Sequence, residues 1–248
     1  MALTTAFIIG DRGSSLLRAL RANDIARLLP SFELVELRSR QILYEPGDDV
    51  AHVYFPCGHA LVSFVVSFDN GKEVEIALIG REGAVGGIVS QGRLPAFARS
   101  IVQFEGLALR MECAELEKAK LQSEALRHFF ARYADCLMAQ VFQCVACNAA
   151  HSIEQRVAKW MLAAIDRTGN LEIPLTQEQL SGMLGVGRSY IARVMQTLKE
   201  RELIGVRRGK LRILDEKRLG AASCTCNEVV REHFDQVLKG VYPEGPEG

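Results

Sequence analysis

Apolar residues recur at helical spacing near the start of the chain, at Leu16, Leu17, Leu20, Ile25, Leu28 and Leu29, and stop at Pro30. A helix closed by proline is predicted there. From Phe32 to about Met111 the period shortens, and short apolar or alternating runs are separated by turn signals at Pro46-Gly47-Asp48-Asp49, Cys57-Gly58, Asp69-Asn70-Gly71 and Gly80-Arg81-Glu82-Gly83. Many short strands predict a barrel, roll or sandwich. Val62, Phe64, Val66 and Phe68 alternate before Asp69-Asn70-Gly71, and Val74, Ile76 and Leu78 alternate after it. The two runs should form an antiparallel hairpin with these residues on its core face.

The period changes again after Ala114. Proline and glycine are absent to Ala150, and Leu126, Phe130, Tyr133, Leu137, Val141 and Cys144 continue an approximate heptad stripe. A single helix of that length, rising about 1.5 Å per residue, outruns what a small β domain covers. Its apolar seam predicts pairing with a second copy of the chain; packing on its own β domain is the alternative.

The last third carries the most informative pattern. Ile153 to Ile165 is amphipathic and is broken at Thr168-Gly169-Asn170, before a short strand at Leu171–Leu175. Thr176-Gln177-Glu178-Gln179 has the spacing of a capping box. A short helix follows with Leu180, Met183 and Leu184 inward, then the turn Gly185-Val186-Gly187, then a second helix from Arg188 to Leu198 that buries Ile191, Val194, Met195 and Leu198. This is a helix-turn-helix, whose second helix can enter a major groove. Arg188 and Arg193 are the candidate base readers, because arginine donates two hydrogen bonds to guanine O6 and N7. Ser189 and Tyr190 are candidate phosphate contacts, and Thr176 and Gln177 count among the candidate DNA contacts. Beyond it, Leu203–Val206 and Leu211–Leu214 flank a basic tip at Arg207, Arg208 and Lys210, which reads as a wing lying along phosphates.

Composition adjusts this picture in few places. The 248 residues, 48% hydrophobic and 24% charged, suffice for two domains. No run is apolar enough to span a bilayer and the N-terminus lacks the order of a secretory signal, so a cytoplasmic protein without membrane contact is expected. Net charge is zero overall, yet residues 151–220 hold thirteen Lys or Arg against eight Asp or Glu, which places the basic excess on the helix-turn-helix. Seven scattered cysteines argue against a disulfide framework and for reduced thiols. Cys144 and Cys147 have metal-type spacing but lie within one helix with no second pair nearby, so they read as small hydrophobes at a dimer seam and no metal site is assigned. Cys57 with His59 is a weak haem pair, and Cys224 with Cys226 lies in a C-terminal extension where exposed thiols are expected. No catalytic motif is present, so an enzyme is not expected; a regulatory module without DNA would leave the second helix and the wing without purpose.

The order of these parts, with the run from Leu175 to Leu198, Ile42 to Asp48, and Gly71–Glu75 with Gly80–Gly83, resembles the cyclic-AMP receptor and fumarate-nitrate regulator (CRP/FNR) family of bacterial transcription factors. The resemblance implies an α+β fold: a cyclic-nucleotide-binding-like β-roll (jelly-roll) at 14–113, a long dimerisation helix at 114–150, a winged helix-turn-helix at 151–220 and an extension at 221–248. It further implies a homodimer on a palindromic operator in double-stranded DNA, with RNA polymerase as a partner. The family's groove arginines fall on Arg188 and Arg193, and Ser189 stands where cyclic-AMP receptors carry a glutamate. Nucleotide-binding members hold ribose with a Gly-Glu pair and phosphate with an Arg-Ser or Arg-Thr pair. Here Pro95-Ala96-Phe97-Ala98 stands where the phosphate arginine belongs, so cyclic AMP is not expected and no cofactor is assigned. Glu82, Phe97 and Arg99 are the candidate effector-pocket residues, with Arg93 or Arg99 able to replace the phosphate arginine only at a shifted register. A signal in the roll is expected to act through the Leu126 to Cys144 seam on the spacing of two recognition helices.

Overall fold

The computed structural model describes residue 10 and residues 12–88, 94–207, 210–239 and 241. Eight strands build the N-terminal half: β1 (Glu33–Leu37), β2 (Ile42–Tyr44), β3 (His52–Cys57), β4 (Leu61–Ser67), β5 (Glu73–Ile79), β6 (Val85–Gly86), β7 (Arg99–Phe104) and β8 (Gly106–Glu112). They form two antiparallel sheets, ordered β1-β8-β3-β6 and β2-β7-β4-β5. Leu37, Ala60, Val62, Ala77, Ile79, Val85, Val102 and Ala108 fill the space between them.

The predicted N-terminal helix is two short ones, α1 (Ser15–Arg18) and α2 (Ala22–Leu28), with Pro30 inside a 3-10 turn at Leu29–Ser31. Ser14 caps α1 through Leu17 N, at 3.3 Å. The β4–β5 hairpin forms as expected, with Val62 opposite Ile79 and Phe64 opposite Ala77. Its core face is only half as read. Successive side chains on a strand point to opposite faces, so Ala77 and Ile79 enter the roll while Leu78 points outward, where it joins Leu61 and Phe104 in the core of the C-terminal domain. A bulge between Phe64 and Val65 ends the simple alternation on β4, and Phe68 is exposed.

The expected single helix over 114–150 is also two. α3 (Cys113–Gln122) stops where Ser123 turns extended, and the Ser123 hydroxyl accepts from Leu126 N to start α4 (Glu124–Ala150). The heptad stripe divides accordingly. Leu126, Phe130 and Tyr133 are sealed in the chain's own core with Leu16, Phe55 and Leu109, and Leu137 packs beside them, so they are not open to a second chain. Val141 and Cys144 are half-buried. The free apolar face is one step round the helix, at Met138 (49% exposed), Phe142 (64%) and Val145 (65%).

The C-terminal half comprises α5 (Ile153–Thr168), β9 (Glu172–Ile173), α6 (Gln177–Leu184), α7 (Arg188–Glu200), β10 (Ile204–Arg207), β11 (Lys210–Ile213), α8 (Glu216–Ala222) and α9 (Cys226–Lys239). The described part of the extension beyond the wing thus contains the helix α9. Its Phe234 stacks edge-on against Tyr133 at 6.2 Å, and the Val237 carbonyl accepts from Arg132 at 2.9 Å.

The outer face of β5 is the seat of the C-terminal domain. Trp160 of α5, the chain's single tryptophan, donates to Glu75 at 2.7 Å, and Ser63 donates a short bond to the same carboxylate. Burial pushes the Glu75 carboxyl up from 4.5 to about 6, against the lowering effect of these two donors. Two turns of α5 further on, buried Arg167 donates from Nε to Leu78 O and pairs with Glu82, both at 3.0 Å, while its Nη1 reaches Ala163 O at 3.2 Å and Asn227 Oδ1 at 3.3 Å. Arg81 Nε and His59 Nδ1 meet the last carbonyls of α5, at 3.1 and 3.0 Å. Gly80 permits this approach, since a Cβ there would lie 2.6 Å from Arg167 Cβ.

Two outcomes follow. The Tyr133 hydroxyl accepts from Ala84 N at 2.7 Å and donates to Ala84 O at 3.2 Å, wholly inside the core. Tyr133→Phe orphans that buried amide and should cost about 1–3 kcal/mol in urea unfolding. The raised Glu75 value means that the folded state favours the neutral acid. Its contribution is complete below about pH 4.5 and is lost as pH rises through about 6, roughly 1–2 kcal/mol after discounting for partial exposure. Glu75→Gln keeps an acceptor for Trp160, so unfolding midpoints between pH 4.5 and 7.5 should lose this component of their slope in the variant.

Candidate nucleic-acid interface

The helix-turn-helix is built from locally satisfied parts. Ser152 and Gln155 close a capping box on α5, and Thr176 and Gln179 close the predicted one on α6, with Thr176 Oγ1 accepting from Gln179 N at 3.2 Å and Gln179 Oε1 accepting from Thr176 N at 2.9 Å. Gly185 ends α6 at φ 66°, a left-handed conformation that favours glycine. Buried Arg156 donates to Leu184 O at 3.1 Å and holds the end of α6 from below. Beneath both helices, Ile191, Val194, Met195 and Leu198 of α7 pack on Leu180, Met183 and Leu184 of α6 and on Met161 and Ile165 of α5.

That packing fixes which side of α7 faces out. Arg188, Ser189, Tyr190 and Arg193 are all exposed and lie together on the first turn and a half. Arg193 stacks its guanidinium over the Tyr190 ring, 5.2 Å from the centroid. Gly187 opens α7 with no side-chain cap, which leaves first-turn amides aimed at any acceptor that approaches, as a phosphate oxygen would. β10 and β11 pair with Arg207 opposite Lys210, and β11 is completed by β9. Arg207 and Lys210 are exposed at the mouth of this hairpin; Arg208 lies outside the described residues. Arg212, not singled out from the sequence, shares the exposed face of β11 with Lys210, and strand alternation is the signal that finds it.

Thr176 and Gln177 are exposed at the start of α6. The Thr176 hydroxyl is engaged in its cap, and the residue borders a cleft between α6 and the roll together with Arg40, Glu73 and Gln103. The proposed effector residues do not converge. Phe97 is 85% exposed, Arg99 forms ion pairs with Glu45 at 2.7 Å and more closely with Glu73, and Glu82 is committed to Arg167 and to Gly80 N. The three therefore make no common pocket; a strand shows only alternate residues to the interior, and Arg99 is satisfied on the other side. Arg93 lies outside the described residues. Among the described residues no helix is long and apolar enough to cross a membrane.

Comparison with known proteins follows this geometry. Residues 155–222 match the Crp-like helix-turn-helix domain family. No curated protein matches the chain. Among solved structures, the chain is similar to FixK2 from Bradyrhizobium japonicum, at TM-score 0.66 and 14% identity over 78% of this chain and 98% of that one. It is also similar to a transcriptional regulator of the crp/fnr family from Eubacterium rectale, at TM-score 0.63 and 17% identity over 84% and 97%. A third is CLP of Xanthomonas campestris, described as a c-di-GMP responsive global regulator, at TM-score 0.63 and 15% identity over 79% and 100%. At these identities the structures establish the fold alone, and the family model identifies residues 155–222 as a Crp-like helix-turn-helix domain. The chain thus carries a Crp-like helix-turn-helix domain at 155–222 on a fold shared with the solved CRP/FNR-type regulators that it is similar to.

Proposed function

We propose that this chain is a DNA-binding transcription regulator of the CRP/FNR type, which acts in the cytoplasm as a homodimer on a palindromic operator, reads bases with Arg188 and Arg193, and changes transcription through RNA polymerase without control by cyclic AMP. The observation that carries the reading is the exposed face of α7, where two arginines, Ser189 and Tyr190 stand clear of a fully packed helix-turn-helix. Exposed Arg207, Lys210 and Arg212 extend the same basic surface toward flanking phosphates. Dimerisation is assigned to Met138, Phe142 and Val145, an apolar stripe at i, i+4 and i+7 of α4 that the chain itself leaves uncovered. Among the described candidate residues, the engagement of Arg99 with two glutamates and the outward position of Phe97 support independence from cyclic AMP.

Selection of bound sequences from random DNA, without added effector, should return a two-fold symmetric motif with guanine in each half-site. Arg188→Ala should weaken operator binding about 10–100-fold and relax that guanine, whereas Lys210→Ala should weaken all sequences alike and flatten the salt dependence by about one phosphate. No enrichment with the wild type would overturn the effector-free reading. Light scattering tests the dimer: Phe142→Glu should give a folded monomer, while Leu126→Ala, inside the core, should lower stability by about 2–5 kcal/mol and leave the oligomeric state unchanged.

A further inference from the structure

Three cysteines and a histidine that are far apart in the chain meet at the joint between α4 and α5. Cys147 is buried in the last turn of α4, His151 ends that helix, Cys224 precedes α9 and Cys226 is its first residue. Their ligand atoms all lie within 4.8 Å of one another. The thiols at 224 and 226, expected at an exposed terminus, are buried, and with Cys147 they form a cluster separate from the other cores. The second cysteine pair that seemed missing from the sequence is supplied by the fold.

We propose that Cys147, His151, Cys224 and Cys226 bind one thiophilic divalent cation, zinc in the first place. The spacing of the donors carries this assignment. A tetrahedral ion with sulfur ligands at about 2.3 Å and nitrogen at about 2.0 Å sets the sulfur–sulfur edge at about 3.8 Å and the sulfur–nitrogen edge at about 3.5 Å. Cys147 Sγ lies 3.7 Å from Cys224 Sγ, and Cys226 Sγ lies 3.5 Å from His151 Nδ1. A disulfide would use only two of these donors and needs its sulfurs at about 2.05 Å. Four ligand atoms this close leave room for one ion and not for a cluster of several irons. Three thiolates and one imidazole are a closed structural zinc set with no open position for catalysis. An outer partner is also present: Gln143 Nε2 donates to Cys226 Sγ at 3.1 Å, an N–H to sulfur bond that steadies a thiolate ligand.

The ion would tie three elements at one point, because His151 is followed at once by Ser152, the cap of α5. Binding displaces the thiol protons to solvent and requires no oxidant or reductant. The full-length chain, purified under reducing conditions without chelator, should carry about one zinc per chain by elemental analysis. After the metal is stripped, titration with cobalt should give the strong visible absorption of a tetrahedral thiolate site. Cys224→Ser and His151→Ala should each lower zinc affinity about tenfold or more, whereas Cys144→Ala, one turn before Cys147 and outside the set, should keep both the stoichiometry and the cobalt spectrum. Absence of a tetrahedral cobalt spectrum in the wild type, an iron–sulfur chromophore instead, or undiminished affinity in Cys224→Ser would overturn the assignment. The wild-type spectrum decides even if a variant fails to fold.

Discussion

Arg167 is the interaction on which the arrangement of the two halves depends. A buried guanidinium loses several kcal/mol of hydration unless its donors are answered, and here the answers come from three directions: a backbone carbonyl and a carboxylate of the roll, a carbonyl of its own helix, and an amide of α9. No single element satisfies the charge. The helix-turn-helix therefore sits where Arg167 can reach all of them, and the apolar contacts of Trp160, Leu61 and Leu78 complete the seam. A shift of the Gly80-Arg81-Glu82-Gly83 turn would leave a buried charge unpaired, so Arg167 together with the Trp160, Arg81 and His59 contacts holds the roll against α5.

What the sequence revealed follows from the range of the forces involved. Caps, left-handed glycines and the hydrophobic side of α7 are local, set by residues within about four positions, and the helix-turn-helix was legible nearly residue by residue. The faces of Leu78 and Phe130 were not, because an apolar stripe shows that a face is buried without showing by what. Both were assigned to the wrong partner: Leu78 serves the DNA-binding domain instead of the roll, and Phe130 serves the roll instead of a second chain. Ser123 interrupts the long helix by a cap whose signal competes with uninterrupted helical periodicity, and only the backbone settles that contest.

The cysteines show the same limit at longer range. Cys147 and Cys224 are separated by the whole helix-turn-helix and the wing, yet their sulfurs lie 3.7 Å apart because α9 folds back along α4. Spacing motifs find ligand sets carried by one loop or helix, and a set assembled by a returning C-terminal helix has no such spacing. The candidate effector residues are dispersed for a related reason: the partners of Arg99 are distant in sequence, Glu45 just after β2 and Glu73 at the start of β5.

The joint between α4 and α5 contains no slack. His151 closes one helix and Ser152 caps the next, so no flexible residue separates them. Each residue added to or removed from the last turn of α4 rotates whatever follows by about 100° about the helix axis, which turns the recognition surface instead of merely lengthening the connection. Lengths can vary in the loops of the roll at little cost, but this elbow behaves as a gear with fixed teeth. A chimera that exchanges sensory domains would have to keep the chain from α4 through α5 intact and be spliced upstream, near the natural break at Ser123.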